Sequence, residues 1–246
     1  MHLRRLTLVY GWIVLQASTT DARPSKASTA LPCVYIGQLC TYDVLNFSSD
    51  AIGRLRALQL INSSLIQVEV KRLISPRPDG ELLQFFSYFT DYLHYTTYYE
   101  TVLRIPAECE LQALEVKSAR QLQMIAVFGS NAHLRLLIIS IAAMRRIPRS
   151  LQNLSALTHF VATDGQLELV NLEAFRSLAN LVTVVLKANK IRVLEISTDP
   201  ELNVAVQDLV LSYNELEFVD MEFFVPLRRL KFVDLHSNRI KQIVKR

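Results

Sequence analysis

Two eleven-residue stretches near the end of the chain, LVLSYNELEFV from Leu209 and VDLHSNRIKQI from Val233, share one frame: apolar residues at positions 1, 3, 8 and 11, and asparagine at position 6. A helix repeats its buried positions about every 3.6 residues and a strand every second residue, so the frame is neither one nor the other along its whole length. The frame recurs at seven starts, with the asparagine in the last three and Gln121 at position 8 of the second, as LQLINSSLIQV (58), LEVKSARQLQM (114), LIISIAAMRRI (137), FVATDGQLELV (160), VVLKANKIRVL (184) and the two stretches above. The steps between starts are 56, 23, 23, 24, 25 and 24 residues.

A step of this size is the period of a leucine-rich repeat, in which each coil buries its apolar side chains only against the coils on either side. The expected fold class is therefore α/β: a leucine-rich repeat solenoid with a curved parallel β-sheet on the concave side and short helices and loops on the convex side. Positions 1 and 3 alternate as in a short strand with one buried face. Between frames a second apolar set recurs, with Leu151, Leu154 and Leu157, then Phe175, Leu178 and Leu181, then Phe224, Leu227 and Leu230. These residues turn the returning segment of each coil inward.

An amide side chain offers donors and an acceptor to backbone groups left unpaired at a turn. Asn189, Asn214 and Asn238 are thus read as a structural ladder rather than as ligand contacts. At the same position the earlier frames have Gly165, Ala142, Ala119 and Ser63, which cannot supply an amide, so looser packing and faster amide exchange are expected there. Residues 71–110 interrupt the frame as an irregular Tyr-rich insertion or a degenerate repeat. SPRPDG marks a turn within it, and Leu82, Phe86, Phe89 and Leu93 follow at helical spacing. The run from Tyr88 to Tyr99 reads either as an aromatic binding patch or as part of a degenerate coil.

The first 22 residues combine Arg4 and Arg5, an apolar run from Leu6 to Leu15 and a small, polar end, the pattern of a secretory signal peptide. Residues 31–57 are expected to form an N-terminal cap and 58–246 the repeats. No segment is long and apolar enough to suggest a transmembrane span. Export implies an oxidising compartment, so Cys33 and Cys40 are read as a short disulfide, with Cys109 left over. Asn46, Asn62 and Asn153 stand in glycosylation sequons. The net charge of +4 falls to +3 without residues 1–22 and is dispersed, which argues against nucleic acid as a partner.

Side chains that alternate with the buried frame face the concave side. In the last three coils these are Thr183, Val185 and Lys187, then Asp208, Val210 and Ser212, then Phe232, Asp234 and His236. Ile138 and Val161 extend the central column, giving four consecutive outward β-branched residues, a pattern of protein-binding surfaces as well as of ordinary strands. His159 and His236 lie in these columns near Asp208 and Asp234. No nucleophile motif, HExxH, glycine-rich phosphate loop or paired CxxC accompanies them, so neither an enzyme nor a cofactor is expected.

The leader, the CVYIGQLC pair followed by TYDVLNF, the first frame LRALQLINSSLIQV and the irregular period together resemble the secreted leucine-rich repeat proteins of insects, in particular the leucine-rich immune proteins of mosquitoes. The resemblance implies a non-catalytic recognition module of innate immunity with a protein ligand, such as a complement-like thioester protein. The chain departs from that family in ending at IVKR, without its C-terminal cysteine cluster and coiled coil. This leaves the oligomeric state open and is compatible with truncation, a frayed last coil or docking of the open end on a partner. The alternative function is an extracellular adhesion module or receptor-ectodomain fragment.

Overall fold

The computed structural model describes residues 8–9, 12–13, 34–36, 39–46, 67–74, 80–88 and 90–245. Cys33, Asn62, Ser63 and Phe89, most of residues 1–22 and residues 58–66 of the first frame lie outside them. Near the N-terminus, Leu8–Val9 and Trp12–Ile13 pair antiparallel.

A sheet of ten strands runs along one side of the molecule. Nine are parallel: Leu39–Tyr42, Gln67–Val70, Tyr92–Tyr95, Ala113–Val116, Leu136–Ser140, His159–Thr163, Thr183–Val185, Asp208–Val210 and Phe232–Asp234. The tenth, Val34–Ile36, pairs antiparallel with the first. The register sets Cys40, Val68, Leu93, Leu114, Leu137, Phe160, Val184, Leu209 and Val233 in a single row. Each of these from Cys40 to Leu209 is buried, and the row two residues further on, from Tyr42 to Leu211, is buried as well. The chain is a leucine-rich repeat solenoid whose core is a pair of continuous apolar columns.

The opposite side carries short paired strands, among them Val102–Pro106 with Met124–Phe128 and Leu169–Asn171 with Val193–Glu195. Three 3-10 turns, Arg149–Asn153, Leu172–Phe175 and Met221–Phe224, lie between strands. Leu151, Leu154, Leu157, Phe175, Leu178 and Leu181 are all buried as the second apolar set requires. In the last of these turns Phe223 takes the buried place, and Phe224 packs edge-on against it at 5.1 Å.

The helical spacing around Leu82 corresponds to a helix only over Gly80–Ser87, with Leu82, Leu83 and Phe86 inward. Leu93 is not on that helix. It sits in the strand Tyr92–Tyr95, where alternation buries Leu93 and Tyr95 and turns Tyr92 and His94 to the concave side. The Tyr-rich segment therefore supplies a coil of the sheet. Likewise Val68, the last residue of the frame read from Leu58, holds the register place that the first frame residue takes in later coils.

Position 5 of the frame has a left-handed backbone in six coils: Ser118, Ile141, Asp164, Ala188, Tyr213 and Ser237, with φ between 45° and 58°. There the strand bends sharply while its N–H still reaches the next coil; Ile141, Ala188 and Tyr213 each donate at 3.0 Å to the carbonyls of Thr163, Ser212 and His236. Ile141 is β-branched, and a left-handed backbone costs such a residue roughly 1–2 kcal/mol. Ile141 is 39% exposed, so Ile141→Gly gives up little packing. It raises the unfolding free energy by about 1 kcal/mol, read as a higher urea midpoint at unchanged slope.

The position-6 asparagines follow directly. The Asn189 amide reaches the carbonyls of Ala162, Leu186 and Lys187 at 2.8, 3.1 and 3.2 Å, and its oxygen accepts from Leu167 N–H at 3.2 Å. Asn214 reaches Leu186, Leu211 and Ser212 at 2.9, 3.0 and 3.2 Å and accepts from Ile191 N–H at 3.1 Å. Asn238 repeats the pattern with Leu211, Leu235, His236 and Leu216. A Cβ at Gly165 would stand 2.8 Å from the Asn189 oxygen, so the glycine makes room where the ladder stops.

Beyond that point another amide takes over. Asn131 is fully buried, on the turn before the strand Leu136–Ser140. Its NH2 group reaches the carbonyls of Pro106, Ala107 and Cys109 at 3.1, 3.3 and 2.7 Å, and its oxygen accepts from the N–H groups of His133 and Leu134 at 3.0 and 2.9 Å. The core columns accordingly continue without a gap through Leu114, Ala119, Leu122 and Leu137.

Cys40 is buried and is not a free thiol. Cys109 is a free thiol, 2% exposed, and burial pushes its pKa up to about 11. Its Sγ lies 3.6 Å from the Leu83 carbonyl. The Asn153 amide donates to the Val127 carbonyl at 3.3 Å, and the neighbouring sequon residue Leu154 is fully buried.

Candidate functional site: the concave sheet face

The central outward row reads, in register, Thr41, Glu69, His94, Glu115, Ile138, Val161, Val185, Val210 and Asp234. Parallel strands lie about 4.8 Å apart, so Ile138, Val161, Val185 and Val210 form an apolar stripe on the order of 14 Å long. All four are half-buried and hence partly open to a partner. Polar residues close both ends, Glu115 beside Ile138 and Asp234 beside Val210.

The flanking columns are less uniform than their sequence positions suggest. Thr183 is 4% exposed and Ser212 1%, so neither presents a contact surface. Thr183 is short and stands in register between the longer His159 and Asp208, which a curved sheet crowds over it. Lys187 and His236 are exposed, Asp208 is half-buried, and Phe232 is 40% exposed.

At the C-terminal end of the stripe Lys187 Nζ lies 5.0 Å from the Tyr213 ring centroid, and Tyr213 meets His236 edge-on at 4.8 Å. His236 Nδ1 is 2.6 Å from Asp234 Oδ1. Burial pushes the Asp234 carboxyl up, but the backbone amide and imidazole of His236 outweigh it and hold the group below the ordinary carboxylate value. A cation on an aromatic face beside a second ring is a contact patch rather than a means of activating a nucleophile. Tyr213 is half exposed and was invisible to the alternation argument, because its side chain follows the left-handed turn instead of the pleat.

The N-terminal part of the row is a site that the sequence reading missed. Glu69, His94 and Glu115 meet there with Tyr92, Thr96 and Lys117. Burial depresses the pKa of His94, against Glu115 and Glu69, which raise it, and with Lys117, which lowers it further. Burial also depresses that of His159, against Asp208. Thr158 donates its hydroxyl proton to the Arg135 carbonyl at 2.8 Å, so the His159 Nδ1–H donates to Thr158 Oγ1 at 2.8 Å.

These two histidines set an acid limit. Each binds its proton less readily in the folded chain, so the unfolded chain takes up protons first as the pH falls. Stability is fully present above the ordinary histidine value of 6.5 and declines below it toward the depressed folded values. Urea midpoints measured between about pH 7.5 and about pH 5.5 fall in the native chain. The double variant His94→Gln, His159→Gln flattens that slope.

Fold and face together define a leucine-rich repeat solenoid with an open concave sheet. The chain matches no family model and no curated protein. Among solved structures it is similar to a protein in the TLR13–ssRNA13 complex, at 18% identity and a TM-score of 0.47, covering 75% of this chain and 30% of the other. It is also similar to one in the Toll–Spatzle complex, described as a molecular hub in Drosophila development and innate immunity, at 13% identity and a TM-score of 0.32, covering 83% and 45%. A third is the APL1 leucine-rich repeat domain, at 15% identity and a TM-score of 0.29, covering 87% and 71%. The chain thus spans less than half the length of the first two. No helix among the described residues is long and apolar enough to cross a membrane.

Proposed function

We propose that this chain is a secreted recognition module that holds a protein ligand on its concave sheet and acts in insect innate immunity. The observation that carries the reading is the in-register stripe Ile138, Val161, Val185 and Val210, partly open on the face and bounded by Glu115 and Asp234. A contiguous apolar surface with a polar rim is the anatomy of a protein-binding patch. The secreted and immune setting rests on the leader pattern of residues 1–22 and on the resemblance of CVYIGQLCTYDVLNF and the first frame to insect immune proteins. In the oxidising compartment that export implies, a Cys33–Cys40 bridge clamps the first strand.

Binding is tested by cross-linking the chain in insect extracellular fluid and identifying what is joined to it. Val185→Asp combined with Val210→Asp places two charges in the stripe without touching the inward columns, so the variant is exported normally. Its defined cross-linked partner is lost. A partner retained at native yield by the variant would move the ligand off this face, and retention of the native chain inside the cell would refute export.

A further inference from the structure

Beyond Ile138 the row continues over Glu115, His94, Glu69 and Thr41, and its two carboxylates differ in one respect. Glu115 accepts the Tyr92 hydroxyl and has a full counter-charge, Lys117 Nζ at 3.0 Å. Among the described residues Glu69 accepts from two neutral hydroxyls, Thr41 and Thr96, each at 3.0 Å. Among the described residues no Lys or Arg stands within ion-pair distance of it; His94 lies beside it, with Nδ1 3.7 Å away, and Lys71, paired with Asp43 at 2.7 Å, acts on it from further off. Burial keeps His94 neutral near pH 7, and its Nε2 is enclosed without a hydrogen-bond partner. The Glu69 side chain is 20% exposed. A half-buried carboxylate whose nearest Lys is engaged by another acid has no direct ion pair, so a cation that reaches it gains one. Its two hydroxyl donors fix its direction, so a cation arriving from the concave side meets an oriented acceptor.

We propose that Glu69, with His94 and Glu115 beside it, forms a subsite for a basic side chain carried by the protein that docks on the stripe. This rests on the reading of the stripe as a docking face. The register supplies the spacing. Glu69 is three strands from Ile138, or about 14 Å, which an extended chain covers in about four residues. The partner segment crosses the strands with an Arg or Lys about four residues from an aliphatic pair. Charging His94 sets a cation against Glu69 from within the fold and competes with the incoming one. The groups that face this imidazole are Glu69, Glu115, Lys117 and Tyr92.

The test uses a blocked hexapeptide with arginine first and isoleucine and valine last, against the same peptide with neutral citrulline in place of arginine. Calorimetry on the full chain gives affinities, and amide shifts give the location. The arginine peptide binds about tenfold more tightly than the citrulline peptide, the size expected of a charge-assisted hydrogen bond. The preference vanishes in Glu69→Gln and shrinks on acidification once His94 takes up its proton. Equal affinities, a preference that survives Glu69→Gln, or no binding of either peptide at millimolar concentration would overturn the subsite. The stripe is judged separately. If Ile138→Asn with Val161→Asn, at the stripe residues the aliphatic end of the peptide reaches, weakens both peptides equally, the stripe stands whatever the arginine result; if it changes neither while the arginine preference persists, the stripe fails and the Glu69 subsite remains.

Discussion

Asn131→Ala lowers the unfolding free energy by about 4 kcal/mol, enough to unfold a chain of ordinary stability at physiological temperature. The replaced amide serves five backbone groups from two stretches, the carbonyls of Pro106, Ala107 and Cys109 and the N–H groups of His133 and Leu134. Asn131 is fully buried, as are its bonds to Cys109 and Leu134, while those to Pro106, Ala107 and His133 are part-buried. Each orphaned group costs roughly 1–3 kcal/mol, and the total is less than their sum because the turn relaxes. Asn131→Asp separates hydrogen bonding from shape. It keeps an acceptor for the two N–H groups but sets a buried carboxylate against three carbonyl oxygens, so it destabilises at least as much as alanine. Urea unfolding followed by circular dichroism reads both variants; a loss under about 1 kcal/mol in either contradicts the five-bond account.

Asn214→Ala costs about 3 kcal/mol, and the cost depends on place in the ladder. Asn214 is 6% exposed and ties its own coil to the preceding one at two points, the Leu186 carbonyl and the Ile191 N–H. Asn238 makes the same bonds but is half-buried, so water replaces part of what Asn238→Ala removes and the loss is nearer 1 kcal/mol. Equal losses at the two sites would mean that depth does not govern the ladder.

Alternating apolar residues and asparagine at a 23- to 25-residue step place most coils, since burial requires that pattern and little else produces it. Three features escaped it. Coils beginning at Cys40, Val68 and Leu93 lack the leucines and the asparagine, and only pairing in the sheet identifies them. Asn131 lies outside the frame, at a position where sequence shows only one polar residue among several. The left-handed residue at position 5 leaves no compositional signal either, because Ile141, Ala188 and Tyr213 are poor choices for that backbone and are held there by the bonds to the next coil. The same turn explains why Tyr213 joined the face unexpectedly. Alternation located the stripe itself but not its depth; Thr183 lies between His159 and Asp208, which only the register brings beside it, and Ser212 is buried as well. His94 was masked by the tyrosines around it.

LVLSYNELEFV contains both parts of the account, Asn214 turned inward to hold coils together and Val210 turned outward. Hydrogen–deuterium exchange of the chain with and without its cross-linked partner tests the division most directly. Protection gained on binding falls on Leu136–Ser140, His159–Thr163, Thr183–Val185 and Asp208–Val210, the strands that carry the stripe. Protection confined to convex strands such as Val102–Pro106 and Met124–Phe128, with those four unchanged, would contradict it.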